Sequence, residues 1–168
     1  MLSEPLLHRM KILIIDDERV GVVMLEELLH RNGYARVLGL TDSNKAIEIC
    51  DDFAPDLILL DLIMPGTDGF SVLETIRSSE PSDSFLPIVV LTADVSEKSK
   101  ERALAAGATD FLVKPVSPME ALLRIRNLLE TRRLHVILEN QRCALEDAVR
   151  RARTSRQKAA SPARAESA

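Results

Sequence analysis

The sequence predicts an α/β fold, a five-stranded parallel sheet doubly wound by helices, and three observations predict it. Short apolar runs recur five times along the chain, and longer segments of helical period separate them. Several of the runs are apolar throughout, as strands buried on both faces are. Strands are expected at residues 11–15, 36–40, 57–60, 88–91 and 109–113, and helices at 20–31, 44–53, 70–77 and 96–106. The first helix should stop at Gly33, because the residue past a helix end often needs a positive φ. Asp94-Val-Ser-Glu97 and Ser117-Pro-Met-Glu120 both have capping-box spacing, and Pro118 falls at a first helical position. Right-handed crossovers between five such βα units place helices on both faces of the sheet and functional loops at the strand C-terminal ends.

The fifth helix has no obvious stop. From Met119 to about Arg153 there is neither Gly nor Pro. Leu134, Leu138, Gln141, Leu145 and Ala148 follow a 4-3-4-3 spacing, two heptads where a coiled coil wants three or four. Two readings stay open, a coiled coil and a single amphipathic helix lying on the domain. The chain is therefore divided into an N-terminal arm at 1–9, an α/β domain at 10–133 and a helical extension at 134–154 that is a candidate coiled coil. The last part, 155–168, is Ala/Ser/Arg-rich with Pro162 and is expected to be disordered.

Composition narrows the functional classes. A chain of 168 residues predicts one domain, able to bury a core without a disulfide or metal staple. Aromatic residues are 3% and Trp is absent, so a stacking platform for nucleic acid is not expected. No apolar run approaches the ~18 residues of a membrane span, and residues 1–10 lack the apolar core of a signal peptide. Cys50 and Cys143 have no metal-ligand spacing around them and are expected to be reduced thiols of a cytoplasmic protein. Residues 1–133 hold 15 Lys and Arg against 22 Asp and Glu, a net of −7. Residues 134–168 hold 7 against 4, a net of +3, too little charge to argue for nucleic acid.

On the predicted topology the polar residues at strand ends converge. Strand one runs into Asp16-Asp17-Glu18, strand three into Asp61, strand four into Thr92, and strand five into Lys114-Pro115. All face one end of the sheet. Three carboxylates in one crevice repel, at about 4 kcal/mol per pair of unit charges 4 Å apart for an effective dielectric of 20. A divalent cation resolves that conflict, and a few oxygen ligands with room for water suit Mg2+ better than Zn2+. Lys114 adds an ammonium and Thr92 a hydroxyl for an incoming oxyanion. These are the parts needed to receive a phosphoryl group. Each residue alone is more often structural: the aspartates as helix caps, Thr92 as a turn residue, Lys114 as a solvated charge. Four sites at the ends of four strands are poorly explained as coincidence.

With these residues in place the sequence resembles a response-regulator receiver domain of two-component signalling. Ile14-Ile-Asp-Asp-Glu18, Asp56-Leu-Ile-Leu-Leu-Asp61 continuing to Gly69, Pro87-Ile-Val-Val-Leu-Thr-Ala93 and Gly107-Ala-Thr-Asp-Phe-Leu-Val-Lys-Pro115 carry the match over the first ~130 residues. The resemblance implies a flavodoxin-like strand order of 2-1-3-4-5. It also implies that Asp61 is the phosphoacceptor, fed by a sensor histidine kinase or a phosphotransfer protein. Mg2+ would be held by Asp17, Asp61 and the main-chain carbonyl of Ile63, with Asp16 acting through water. Thr92 and Lys114 would each meet a phosphoryl oxygen, and Pro115 would follow a cis peptide. Thr92 and Phe111 would form a switch, Phe111 turning inward as Thr92 moves and repacking the face of helix four, strand five and helix five. Residues 132–154 resemble the connector helix of cyclic-di-GMP-type regulators, and a homodimer through helix five and its extension is a further expectation.

Two positions beside the acceptor, Ile63 and Asp94, bear on hydrolysis of the phosphoaspartate. Apolar Ile63 cannot orient water, whereas Asp94 can orient one or cap helix four. Two rival functions are weighed. A phosphohydrolase with an aspartyl-phosphate intermediate usually carries a second Asp where Ile63 stands. A pure interaction module would not need Asp16, Asp17, Asp61, Thr92 and Lys114 together. The chain is therefore expected to be no turnover enzyme, catalysing only its own phosphorylation and dephosphorylation. His8, His30 and His135 are not placed to act as donors.

Overall fold

The computed structural model describes residues 4–81 and 84–159. Five strands, β1 (Lys11–Ile15), β2 (Arg36–Leu40), β3 (Leu57–Asp61), β4 (Ile88–Thr92) and β5 (Asp110–Val113), form one parallel sheet in the order β2-β1-β3-β4-β5. Helices α1 (Arg19–Arg31), α2 (Ala46–Phe53), α3 (Gly69–Ser79), α4 (Glu97–Ala105) and α5 (Pro118–Ala159) complete the βα units. A two-stranded hairpin, Ile63–Met64 with Thr67–Asp68, leaves β3 and feeds α3. The doubly wound sheet and its 2-1-3-4-5 order are thus present.

The period-2 geometry of each strand divides the core in two. Ile12 and Ile14 of β1, Leu57 and Leu59 of β3 and Val89 and Leu91 of β4 pack with Val22, Leu25 and Leu29 of α1 and Ala121, Ile125 and Leu129 of α5. The alternate residues Leu13, Ile15, Ile58, Leu60, Ile88 and Val90 meet Ala46, Val72, Leu73, Ile76 and Ala103 of α2, α3 and α4. Every position of β3 and β4 is buried, which is why both read as continuous apolar runs. Each fully buried Leu or Ile contributes roughly 1.5–3 kcal/mol, so Ile125 and Leu129 anchor the first turns of α5 firmly.

The ends of the elements differ from expectation in instructive ways. α1 stops at Asn32 and Gly33, and Gly33 takes φ +91 as its position requires. The cap of α4 is Ser96, whose hydroxyl accepts the Ser99 N–H; Asp94 instead accepts the Ser96 N–H one step earlier. The four-residue spacing was real, but the shorter Ser side chain wins the cap because an Asx turn already occupies Asp94. Within the N-terminal arm, Glu4–Leu7 is a turn of helix, Leu7 is buried, and His8 meets Tyr34 edge-on. An apolar residue next to the uncovered start of a core outweighs the lack of a long helical pattern. α5 runs to Ala159, past the 154/155 boundary of the expected disordered tail, because Gln, Lys, Arg and Ala all favour helix and the first breaker is Pro162. Pro162 and the rest of 160–168 lie outside the described residues.

The chain divides into two compact units, residues 1–133 and 134–168. In the first, the end of the sheet opposite the strand C-termini is closed by charged groups. Arg77 donates to the carbonyls of Gly107 and Leu86 at 2.7 Å each and to Glu80 Oε2 at 2.6 Å. Glu80 Oε1 in turn accepts the Leu86 N–H at 2.7 Å. Arg132 donates to the Phe85 carbonyl at 2.9 Å.

Gly39 in edge strand β2 lies under α1. A Cβ there would overlap Val22 Cγ1 and sit 2.7 Å from Glu26 Oε1. Val22 is β-branched and cannot move its methyl away cheaply. Gly39→Ala is expected to lower stability by about 1–3 kcal/mol, read as a shift of the urea midpoint at unchanged slope.

Candidate functional site

The parallel register brings the predicted residues to one end of the sheet. Ile15 pairs with Leu60, Asp61 with Leu91, and Thr92 with Val113, so the residues that follow or end these strands are neighbours across the sheet. Asp16, Asp61 and Thr92 are buried, whereas Asp17 is exposed at the rim. One carboxylate oxygen from each of Asp16, Asp17 and Asp61 lies within 4.8 Å of the other two.

Lys114 reaches across from the end of β5 and donates to Asp61 Oδ2 at 2.7 Å and Asp16 Oδ2 at 2.8 Å. It thereby bridges two buried carboxylates with a single ammonium. Burial works against the charged form of Lys114, but hydrogen bonds and attraction from both aspartates outweigh it and leave the pKa raised. The second oxygen of each aspartate is fixed by backbone: Asp16 Oδ1 accepts the Glu18 N–H at 2.9 Å, and Asp61 Oδ1 accepts the Ile63 N–H at 3.0 Å. The Asp16 side chain therefore does not cap α1; the cap position is Glu18, without a side-chain bond. The Lys114–Pro115 peptide is cis.

Thr92 is brought to the site's edge, but its hydroxyl turns to its own loop. It accepts the Asp94 N–H at 3.0 Å and donates to the Asp94 carbonyl at 3.3 Å. Backbone bonding to Ser96 lowers the pKa of Asp94. Phe111 stands apart from the carboxylates, half-buried, with Lys100 of α4 at 5.0 Å and Arg124 of α5 at 6.0 Å from its ring centroid. Arg124 is itself held by both oxygens of Asp110 at 2.7 Å. Ile63 is 66% exposed over the crevice, which Asp17, Glu18, Met64, Pro65 and Ala93 also line. Sequence reasoning gave Gly69 no role of its own. A Cβ at Gly69 would lie 2.5 Å from both the Asp61 carbonyl and Leu62 Cα, so the absence of a side chain lets α3 begin directly against the Asp61 backbone. A glycine inside the helix, directly after the Asp68 cap and at a cost in helix propensity, was the available signal.

Comparison with known proteins gives the chain its family. The family whose sequence profile matches, over residues 12–126, is the response regulator receiver domain. The chain belongs to that family. The transcriptional regulatory protein YvrH of Bacillus subtilis is 40% identical over 115 residues, 68% of this chain and 47% of that protein. Transcriptional regulatory protein CpxR of Escherichia coli is 38% identical over 125 residues, 74% of this chain and 50% of its own. The crystal structure of a putative response regulator from Chloroflexus aurantiacus superposes with a TM-score of 0.66 at 32% identity, covering 73% of this chain and 98% of that one. The receiver thus spans about half the length of the curated relatives it matches. No helix among the described residues is long and apolar enough to cross a membrane.

The bridge at Lys114 gives a direct test. Removing one partner of a buried ion pair costs about 3–5 kcal/mol, and the partial exposure of Lys114 places it at the lower end. Lys114→Met is expected to lose about 3 kcal/mol in urea unfolding with chelator present, and the double variant with Asp61→Asn to recover part of that loss. Additive losses in the double-mutant cycle would show the bridge to be energetically idle.

Proposed function

We propose that this receiver is a phosphoacceptor switch in which Asp61 accepts a phosphoryl group from a phosphohistidine of a sensor kinase or phosphotransfer protein. The observation that carries the reading is the single ammonium of Lys114 bridging Asp61 and Asp16, with Asp17 beside them and Thr92 at the next strand end. In the transfer the Asp61 carboxylate attacks phosphorus and the P–N bond to the donor imidazole breaks. The electron pair stays on the imidazole nitrogen. The chain catalyses only its own phosphorylation and dephosphorylation, and exposed, apolar Ile63 in place of an acid/base group supports this over turnover of phosphate esters.

The donor set fits Mg2+: oxygen atoms only, three carboxylates within reach of one ion, and an exposed Asp17 that leaves room for water. Asp17, Asp61 and the main-chain carbonyl of Ile63 would hold it, with Asp16 acting through water. When bound, the ion neutralises charge that develops on the transferred group. Asp16 keeps Lys114 in position, Lys114 pairs a phosphoryl oxygen, and Thr92 exchanges its long 3.3 Å bond to the Asp94 carbonyl for one to another phosphoryl oxygen. Movement of Thr92 vacates space for Phe111, which leaves its place between Lys100 and Arg124 and changes the α4–β5–α5 face. The readout is a partner at that face or a second copy of the chain through α5.

Incubation with acetyl phosphate and Mg2+, followed by intact mass spectrometry, is expected to give a single phosphoryl adduct. Asp61→Asn and a chelator-treated sample should both give none. Absence of the adduct, under conditions that label a control receiver and with a phosphohistidine donor also tried, would overturn the proposal.

A further inference from the structure

The second unit contains, among the described residues, one element only, the C-terminal part of α5. Leu134, Ile137, Leu138, Leu145 and Val149 stand exposed on it, Leu138 at 63% and Leu145 at 67%. Because the helix continues to Ala159, the 4-3-4-3 row that starts at Leu134 extends through Ala152 and Ser155, reaching three heptads. The row is uneven. Its large members, Leu134, Leu138, Gln141 and Leu145, come first, and its small members, Ala148, Ala152 and Ser155, come last. Charge follows the same division: residues 134–147 hold three acids and one arginine, whereas residues 148–157 hold Arg150, Arg151, Arg153 and Arg156 and no acid.

We propose that this segment pairs with the same segment of a second copy of the chain, and that the pair is antiparallel. The inference deepens the homodimer part of the preceding proposal and is independent of the phosphoryl chemistry. Antiparallel pairing sets core positions of one type against the other type, so Leu145 faces Ala148 of the second copy and Leu138 faces its Ser155. Large then meets small along the whole seam, and the gap between helices stays even. Parallel pairing would place Leu on Leu at one end and Ala on Ala at the other, leaving voids where the small residues meet. It would also set Arg151 of each helix beside Arg156 of the other, a like-charge contact at the flanking positions that choose coiled-coil orientation. In the antiparallel arrangement Arg151 and Arg156 of one helix lie along residues 137–142 of its partner, where Arg142 is the one arginine, so that crowding is relieved.

The test uses the full unphosphorylated chain with both native cysteines replaced, Cys50→Ser and Cys143→Ser. Sedimentation equilibrium should report a dimer that Leu145→Asp converts to monomer with circular dichroism and acetyl phosphate labelling retained. Two single-cysteine variants, Leu138→Cys and Ser155→Cys, are then oxidised separately and as a mixture. The antiparallel pair requires a disulfide in the mixture and little in either variant alone. A Leu138→Cys homodisulfide would overturn the orientation. A monomer at all concentrations would overturn the pairing, as would a monomer that binds duplex DNA through the arginines. Neither result would touch acetyl phosphate labelling of Asp61, so the two proposals fail separately.

Discussion

The feature on which the rest of the receiver depends is the sharing of one ammonium by two buried carboxylates. Asp16 and Asp61 would repel each other at the end of a dry sheet, and Lys114 holds both at hydrogen-bond distance. A buried charge left alone is expensive, so each of the three groups is tolerable only with the others present. Main-chain N–H groups of Glu18 and Ile63 complete the arrangement by fixing the remaining oxygens. The crevice is consequently preorganised: its carboxylates are held by Lys114 on one side and by main-chain N–H groups on the other.

That arrangement is an outcome of topology. Five parallel strands in the order β2-β1-β3-β4-β5 deliver the ends of β1, β3, β4 and β5 to the same edge. No pair among Asp16, Asp61 and Lys114 is close in sequence; the two hydrogen bonds of Lys114 span 53 and 98 residues. The apolar β3 and β4 supply the rigidity, because strands buried on both faces fix the backbone from which the Asp61 and Thr92 side chains project. At the opposite end, Arg77 and Glu80 tie α3, the approach to β4 and the approach to β5 together, so the sheet is held at the edge remote from the site as well.

The face formed by α4, β5 and α5 is built differently. Phe111 lies between two cations, Lys100 and Arg124, and Arg124 is committed to Asp110. Contacts of this kind are worth about 1 kcal/mol or less each when exposed. The surface around Phe111 is therefore held by small increments while the site is held by large ones. Rearranging the first therefore costs less than disturbing the second.

The sequence by itself determined the layer pattern, the five βα units, the acidic residues at strand ends and the cation that faces them. Each of these is written in local composition: apolar runs of strand length, helical periods, and polar residues placed where an apolar run ends. Gly33 was legible for the same reason, since a helix stop is a local event. Only the tertiary structure decided what depends on residues far apart. It brought Leu7 of the arm into the core and explained Gly69 by the Asp61 backbone lying against it, whereas the α4 cap at Ser96 and the turn of the Thr92 hydroxyl toward Asp94 were local competitions that composition leaves open. The run of α5 to Ala159 is by contrast a local matter that composition underweighted, since no signal before Pro162 ends a helix of Ala, Arg, Gln and Lys. Composition records which groups a chain possesses and in what rhythm. Which backbone a glycine must clear is settled by distances that exist only after the sheet has closed.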